Sequence, residues 1–321
     1  MRAAPVVINV LTNCTSRKRR EPEVRACLRD LKVQNEEMRL KAWKDRLAES
    51  AAKWTTPAND LYCGSGWTVI QAAIAKVRQV AHINLWIASA GYGLLSSEDA
   101  VTPYSATFTA RQCDSVKLER DPEGNQRWWE GLTKRTPKTT RLIVSVAELA
   151  RAYPTAPLLV GVSPDYLWAM RVDLLAASKA LVDPDLLVII SAGAKNAGDL
   201  TPFLLPCDAR LEHRLGGSRS SLNARIVAYI LNRFQSNELR LPTLRKHFKN
   251  ILSRSPKART YNRKKMTDKE VEIFVRKALS KVSGTSFSAL LRRLRDSGMA
   301  CEYKRFRQMF RVIAPTITNH K

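Results

Sequence analysis

Apolar and polar positions along this chain fall into alternating blocks of two periods. Val6-Val7-Ile8-Asn9-Val10-Leu11 is a short β-branched run that predicts a first strand. It is halted by Thr12-Asn13-Cys14-Thr15-Ser16 and then Arg17-Lys18-Arg19-Arg20. From Arg25 to Trp54, Leu28, Leu31, Leu40, Trp43, Leu47 and Ala51 recur at three- and four-residue spacing, which predicts a helix ended by Pro57. Asn59 to Trp67 reads as a Gly/Ser loop, with Thr68 capping a helix that runs to Val80. Leu85-Trp86-Ile87-Ala88 then runs into Ser89-Ala90-Gly91-Tyr92-Gly93, a strand opening into a tight loop. Its glycines allow positive φ and close approach of a ligand to the backbone. After an extended loop at Thr102 to Thr109, a helix is expected over Thr139 to Ala152 and a strand over Pro157 to Val162. A helix over Leu167 to Leu181 and a strand over Leu186 to Ile190, ending in Ser191-Ala192-Gly193, complete the pattern.

Strands alternating with helices predict an α/β unit: a parallel four-stranded sheet with helices on both faces. In such a sheet the strand ends share one edge, where ligands sit. Asn13 to Ser16, Ser89 to Gly93, Ser163 to Tyr166 and Ser191 to Gly193 are thereby expected to line one crevice. Past the last strand, Gly216-Gly217-Ser218-Arg219-Ser220-Ser221 opens a helix from Leu222 to Phe234. Glycines, hydroxyls and arginines at a helix start form an anion-binding arrangement, with Arg219 and Arg225 suited to phosphate. A flexible interdomain linker is the plain alternative.

The tail changes the picture through charge. Of the formal +25, the stretch Arg240 to Lys321 holds 22 Lys+Arg against 5 Asp+Glu, a net of +17, and the preceding residues hold 32 against 24. Helices are expected over Leu239 to Leu252, from Thr267 or Asp268 to Val282, over Ser286 to Arg295 and over Cys301 to Ile313. The last two, joined across Gly298, have helix-turn-helix proportions, with Lys304, Arg305, Arg307 and Arg311 on the outer face. A dense basic terminal segment points to nucleic acid, and the domains are placed at 1–236 (α/β) and 237–321 (basic, all-α).

Six cysteines without a Cys-x-x-Cys pair argue against a zinc ribbon or a disulfide framework. No apolar run approaches the ~20 residues that span a bilayer. A cytoplasmic location is expected. The four histidines (His82, His213, His247, His320) show no ligand spacing, so neither metal nor cofactor is expected.

Four segments carry a resemblance: Asn13-Cys14-Thr15-Ser16-Arg17-Lys18, Asn59-Asp60-Leu61-Tyr62-Cys63-Gly64, Ser89-Ala90-Gly91-Tyr92-Gly93-Leu94 and Thr102-Pro103-Tyr104. Over roughly the first 120 residues the chain resembles the peroxide-stress YaaA-like proteins. It looks closer still to a bacterial domain family with the Ser-Ala-Gly/Lys-Tyr-Gly-Leu pattern. The sheet layout is similar to the uracil-DNA glycosylase-like superfamily. That resemblance implies one active-site loop at Asn13 to Ser16, and a second at Gly217 to Asn223 in which serine and Leu222 press on DNA and wedge a base out. The chain departs from the superfamily in lacking a Gly-Gln-Asp-Pro-Tyr type signature and a His-Pro-Ser motif.

A glycosylase needs a base pocket, and Cys14, Thr15, Ser16, Ser89, Gly91, Tyr92, Tyr104 and Ser163 are the candidates. Tyr92 and Tyr104 would supply the stacking surface. An acid or amide near the sugar is expected among Asn13, Asp114, Asp165 and Asp208. Lys18, Gly217, Ser218, Arg219, Ser221, Asn223 and Arg225 would grip flanking phosphates, together with the basic helix at Lys304 to Arg311. The expected substrate is double-stranded DNA with modified bases, such as glucosylated hydroxymethylcytosine in phage DNA, in anti-phage defence. The alternatives are a non-catalytic DNA-binding, regulatory or stress-response protein and an enzyme on tRNA bases or free nucleotides.

Overall fold

The structure, a computed structural model, describes residues 6–110, 112–116, 123–137, 139–194, 197–258, 260, 262–282 and 284–318. The chain divides into two units, Met1–Ala258 and Arg259–Lys321. The first unit runs β1 (Val6–Asn13), α1 (Glu36–Lys53), α2 (Ser65–Val77), β2 (Ala81–Ser89), β3 (Gly93–Ser96), α3 (Gly124–Thr133) and α4 (Val146–Ala152). It continues with β4 (Leu158–Gly161), α5 (Pro164–Ala169), α6 (Arg171–Ala180), β5 (Leu187–Ile190), α7 (Leu222–Arg233) and α8 (Leu241–Ser253).

The sheet has five strands in the order β3-β2-β1-β4-β5. Four are parallel, and β3 runs antiparallel to β2. The sheet is therefore mixed, where four parallel strands were expected. Gly93, at φ +76°, turns the chain straight back on itself, so Ser89 to Gly93 closes a hairpin and Leu94 and Leu95 become an added edge strand. The parallel register pairs Asn13 with Ala88, Thr12 with Gly161 and Gly161 with Ile190. The carboxyl ends of β1, β2, β4 and β5 are thus level at one edge. Ile8 to Thr12 are all buried, as in a strand covered on both faces. Asn9 among them accepts from Asn84 Nδ2 (3.0 Å) and Trp86 Nε1 (3.3 Å), which satisfies its oxygen inside the core. Helices α2 and α7 pack on each other, as do α4 and α6.

Three expected helices are shorter than their periodicity suggested. Residues 25–54 yield two single 3₁₀ turns before α1, which starts where the Asn35 side chain accepts from Met38 N. Of Thr139 to Ala152 only Val146–Ala152 is helical, its first turn held by Asp173, which accepts from Val146 N and Ala147 N (both 2.9 Å). Leu167 to Leu181 lies in two helices that break at Met170.

The first unit also extends further than 236. Helix α8 is highly basic, yet Leu241, Leu244, Phe248 and Leu252 sink into the first core. The second unit, with 16 Lys+Arg against 5 Asp+Glu, contains α9 (Asp268–Lys281), α10 (Phe287–Asp296) and α11 (Tyr303–Thr318). Lys264–Lys265 pairs in parallel with Met299–Ala300 across the turn that joins α10 to α11. Val271, Val275, Leu279, Leu290, Leu294, Phe306 and Ile313 form a separate core. Thr267 and Glu270 close a capping box at the start of α9. Among the described residues no helix is long and apolar enough to cross a membrane.

Candidate functional site

From β1 the chain crosses to β2 on one side; from β4 it crosses to β5 on the other. The gap between the carboxyl ends of β1 and β4 is therefore the topological switch point, where open α/β sheets receive ligands. Asn13 spans it: Oδ1 accepts from Ser163 N (3.2 Å) and Nδ2 donates to Cys14 O (3.0 Å). Across the next gap, Asn223 in the first turn of α7 donates from Nδ2 to Val162 O (2.7 Å) and accepts at Oδ1 from Ala192 N (2.8 Å). Two carboxamides thus tie three strand ends together. Helix α7 comes close enough for this because Gly161 has no side chain; a Cβ there would lie 2.5 Å from Val227 Cγ2.

Beneath this edge, toward β1 and β2, lies a buried polar hub. Tyr104 OH stands 2.7 Å from Ser89 Oγ and 2.9 Å from Tyr62 OH, and Cys14 Sγ stands 3.1 Å from Tyr166 OH. Ser89 Oγ also accepts from Gly91 N (3.1 Å) and Tyr92 N (3.0 Å). Burial, then the nearby Cys14, hold the Tyr62, Tyr104 and Tyr166 phenols well above their ordinary pKa. Lys18 lies over the Tyr104 ring, its Nζ 4.2 Å from the centroid, and donates to Thr15 O (3.2 Å). The four segments that carry the family resemblance meet here. Lys18 bridges to Tyr62, and Tyr62, Ser89, Gly91 and Tyr104 pack as one cluster.

The expected stacking surface is closed. Tyr104 is 1% exposed, and the Tyr92 ring meets its edge at a centroid distance of 5.2 Å. Tyr92 OH accepts from Thr102 N (3.1 Å), and burial pushes its pKa up to about 12. Gly91 is small to fit Tyr104, not to admit a ligand: a Cβ would lie 2.5 Å from two of its ring carbons. Trp43 and Trp128 donate to Gly91 O and Ala90 O (both 2.9 Å), so the carbonyls of the turn are also occupied.

Open space lies on the other flank. A cavity of about 310 Å³ lies between α5 and the segment after β5, lined by Pro164, Leu167, Trp168, Gly193, Ala194, Ala197 and Leu200. Pro164 and Gly193 belong to the strand-end segments expected at the crevice, whereas Leu167, Trp168, Ala194, Ala197 and Leu200 were not singled out, because apolar residues beyond the strand ends look like any packing residues. Leu204 bridges to Ile189, and Leu205 N donates to Ile189 O (2.8 Å), so Pro206 to Asp208 emerge at the same carboxyl edge. Asp208 accepts from Arg210 Nη2 (2.7 Å) and Arg210 N (2.9 Å), and this arginine holds its carboxyl below the usual range. Burial pushes the neighbouring Cys207 thiol up to about 12.

Several other candidates stand apart from this edge or are engaged within the protein. Asp114 accepts from Ser105 Oγ (2.8 Å) and Arg29 N (3.1 Å) and pairs with the Arg29 guanidinium (3.4 Å), so both carboxylate oxygens are engaged within the protein. Thr15 Oγ1 donates to Arg17 O (2.6 Å), and Ser16 is exposed on the same loop. In the serine loop, Ser218 Oγ lies 3.2 Å from Ser221 Oγ, Arg225 Nε donates to Ser221 Oγ (3.2 Å), and Arg219 pairs with Glu212 (2.6 Å). Gly217, at φ +72°, lies against the Arg225 guanidinium. Leu222, the residue placed as a wedge by resemblance, is buried in the core. In the second unit Arg305 pairs with Asp268 and donates to Met266 O (2.9 Å), Arg307 lies over the Phe287 ring, and Arg311 is exposed. The Lys304 side chain falls outside the described set. Among the described residues no group of three His, Cys, Asp or Glu comes together as a metal site.

Compared with protein-family models, with curated proteins and with solved structures, the chain matches none.

Proposed function

We propose that the chain hydrolyses N-glycosidic bonds in nucleic acid, as a DNA glycosylase that extrudes a modified base and leaves an abasic site. The observation that carries the proposal is the cavity at the carboxyl edge, beside the switch point and on a floor fixed by Asn13 and Asn223. In the reaction the bond from C1′ to the base nitrogen breaks and its electron pair leaves with the base. Positive charge gathers on the sugar, and the oxygen of a water molecule then bonds to C1′ while the proton it loses ends on the departed base nitrogen. A carboxylate facing that sugar stabilises the charge without being consumed. Asp208 is the candidate at this edge, because Arg210 keeps it ionised. Asn13 acts as a positioning residue, with both polar atoms of its amide committed to the strand ends.

The second unit supports a polymeric substrate. A net charge of +11 on a separately cored helical body suits duplex DNA, and its α10–α11 pair resembles a helix-turn-helix. Hypermodified phage cytosines and a defence role rest on the family resemblance, and a cytoplasmic location on the scattered cysteines; both form part of the proposal on those grounds. The test is to incubate pure protein with phage genomes of differing base modification and measure abasic sites and released base. Asp208→Asn is expected to slow release by roughly 100-fold or more while duplex affinity stays within about twofold. Absence of abasic sites on every genome, with tight duplex binding retained, would leave the non-catalytic alternative standing.

A further inference from the structure

We propose that the face of α7 and α8 built around Tyr229 and His247 grips the phosphodiester backbone of duplex DNA, a contact of the first unit's own in addition to that of the basic second unit. The inference rests on the nucleic-acid reading above. Residues 213–258 hold ten Lys+Arg against one Asp+Glu, and neither α7 nor α8 contains an acid. That one acid, Glu238, folds back to accept from Gln235 N (2.8 Å). Some of the cations are engaged within the fold: Arg219 and Arg240 pair with Glu212 and Asp183, Arg225 donates to Ser221 Oγ, and Arg245 donates to Leu204 O. Arg214, Arg233, Lys246, Lys249, Arg254 and Lys257 are exposed and pair with no carboxylate among the described residues.

Aromatic rings hold the centre of this face rigid. Tyr229 OH stands 3.0 Å from His247 Nε2, and the two rings stack at a centroid distance of 5.8 Å and an angle of 25°. Phe234 and Phe248 meet the imidazole at steep angles, 5.0 and 5.7 Å away, and fix its plane. The Arg214 guanidinium lies 5.9 Å from the Tyr229 ring centre. Burial first, then the Arg233 and Arg214 charges, hold the His247 imidazole below its ordinary pKa. Two guanidiniums thus crowd one imidazole with no carboxylate to offset them, and an anion from outside relieves that repulsion. Guanidinium forks bond phosphate oxygens two at a time. Arg225, Tyr229 and Arg233 recur every fourth residue on the unburied stripe of α7, and His247 shares its side of α8 with Asn250 and Arg254. From Arg225 to Arg233 that stripe is ~12 Å long, enough to follow about three phosphates of one strand. An anionic membrane is the poorer fit, because interfacial binding needs an apolar face. The described residues 212–258 expose no large apolar side chain, and α7 and α8 turn theirs into the core.

The experiment uses the full chain and a short unmodified duplex, so it reads binding without catalysis. Arg214→Ala and Arg233→Ala remove exposed cations that have no ion pair, so urea midpoints should stay at the wild-type value. Each is expected to lower the slope of log K against log salt by about 0.9, and the double variant to weaken duplex affinity roughly 10-fold. Arg233→Lys keeps the charge and should recover most of the slope. Lys249→Ala removes an equal charge from the flank of α8 far from His247 and should leave affinity within about twofold, since salt screens charges beyond ~8 Å. A double variant with wild-type slope and affinity overturns the contact. So does an equal loss in Lys249→Ala, which marks diffuse attraction, and so does a wild type that binds no duplex. Binding to phosphatidylserine vesicles that the double variant loses, with duplex affinity untouched, overturns it in favour of a membrane surface. If the wild type binds the duplex yet leaves no abasic site on any modified genome, the glycosylase reading fails and the slopes alone decide this contact.

Discussion

A methyl group at position 91 would lie 2.5 Å from two ring carbons of Tyr104, a ring already packed against Tyr92 and covered by Lys18. Gly91→Ala is therefore expected to destabilise the first unit by ~1–3 kcal/mol, read as a lower midpoint in urea with an unchanged slope. The hub also fixes the response to alkali. Tyr62, Tyr92, Tyr104 and Tyr166 all have folded pKa values above the ordinary 10, so the unfolded chain releases protons first as pH rises. The stability they contribute is fully present below about pH 10 and is lost as pH rises from there, through about 12 for Tyr92. Urea midpoints measured from pH 8 to pH 11 should show little tyrosine-linked change up to about pH 10 and fall above it. Tyr104→Phe should start lower, because Tyr62 loses a buried partner, and should fall less steeply with pH.

At the level of elements, Asn223 is the joint between helix and sheet. Asn223→Ala leaves Val162 O and Ala192 N without their partner, at ~1–3 kcal/mol. Amide hydrogen exchange at Ala192 should speed up while that in the middle of β1 is unaffected. Protection at Ala192 equal to wild type would refute the clamp. Much of the architecture was legible because apolar runs such as Ile8 to Leu11 and Leu187 to Ile190 are buried on both faces, as strands of a covered parallel sheet are. The short helices were not, since Leu28 and Leu31 have helical spacing but pack from single turns, and the periodicity of Thr139 to Ala152 does not register that its ordering depends on distant Asp173. The site was legible as an edge. Asn13, Ser163 and Asn223 are brought to it, but their use of side-chain atoms to hold main chain is a tertiary fact that composition does not carry. Tyr92 and Tyr104 were misjudged for the same reason: a Tyr beside glycine reads alike whether it faces a ligand or the interior.

For the whole molecule, the division of charge and of core predicts a division of labour. The second unit has its own apolar centre and 16 basic residues, so residues 259–321 alone are expected to fold and bind duplex DNA. The chain shortened to 1–258 should lose most duplex affinity and show a shallower dependence of log K on log salt. Equal slopes for the full and shortened chains would remove the second unit from the contact. The carboxamide clamps bear on how such a protein changes over generations. They grip three strand ends through main-chain atoms, so the frame does not depend on which side chains stand above it. Positions 164, 168, 194 and 197 can be exchanged while 13 and 223 keep the backbone in register. The cavity wall can therefore be reshaped one residue at a time without disturbing the strand ends that hold it.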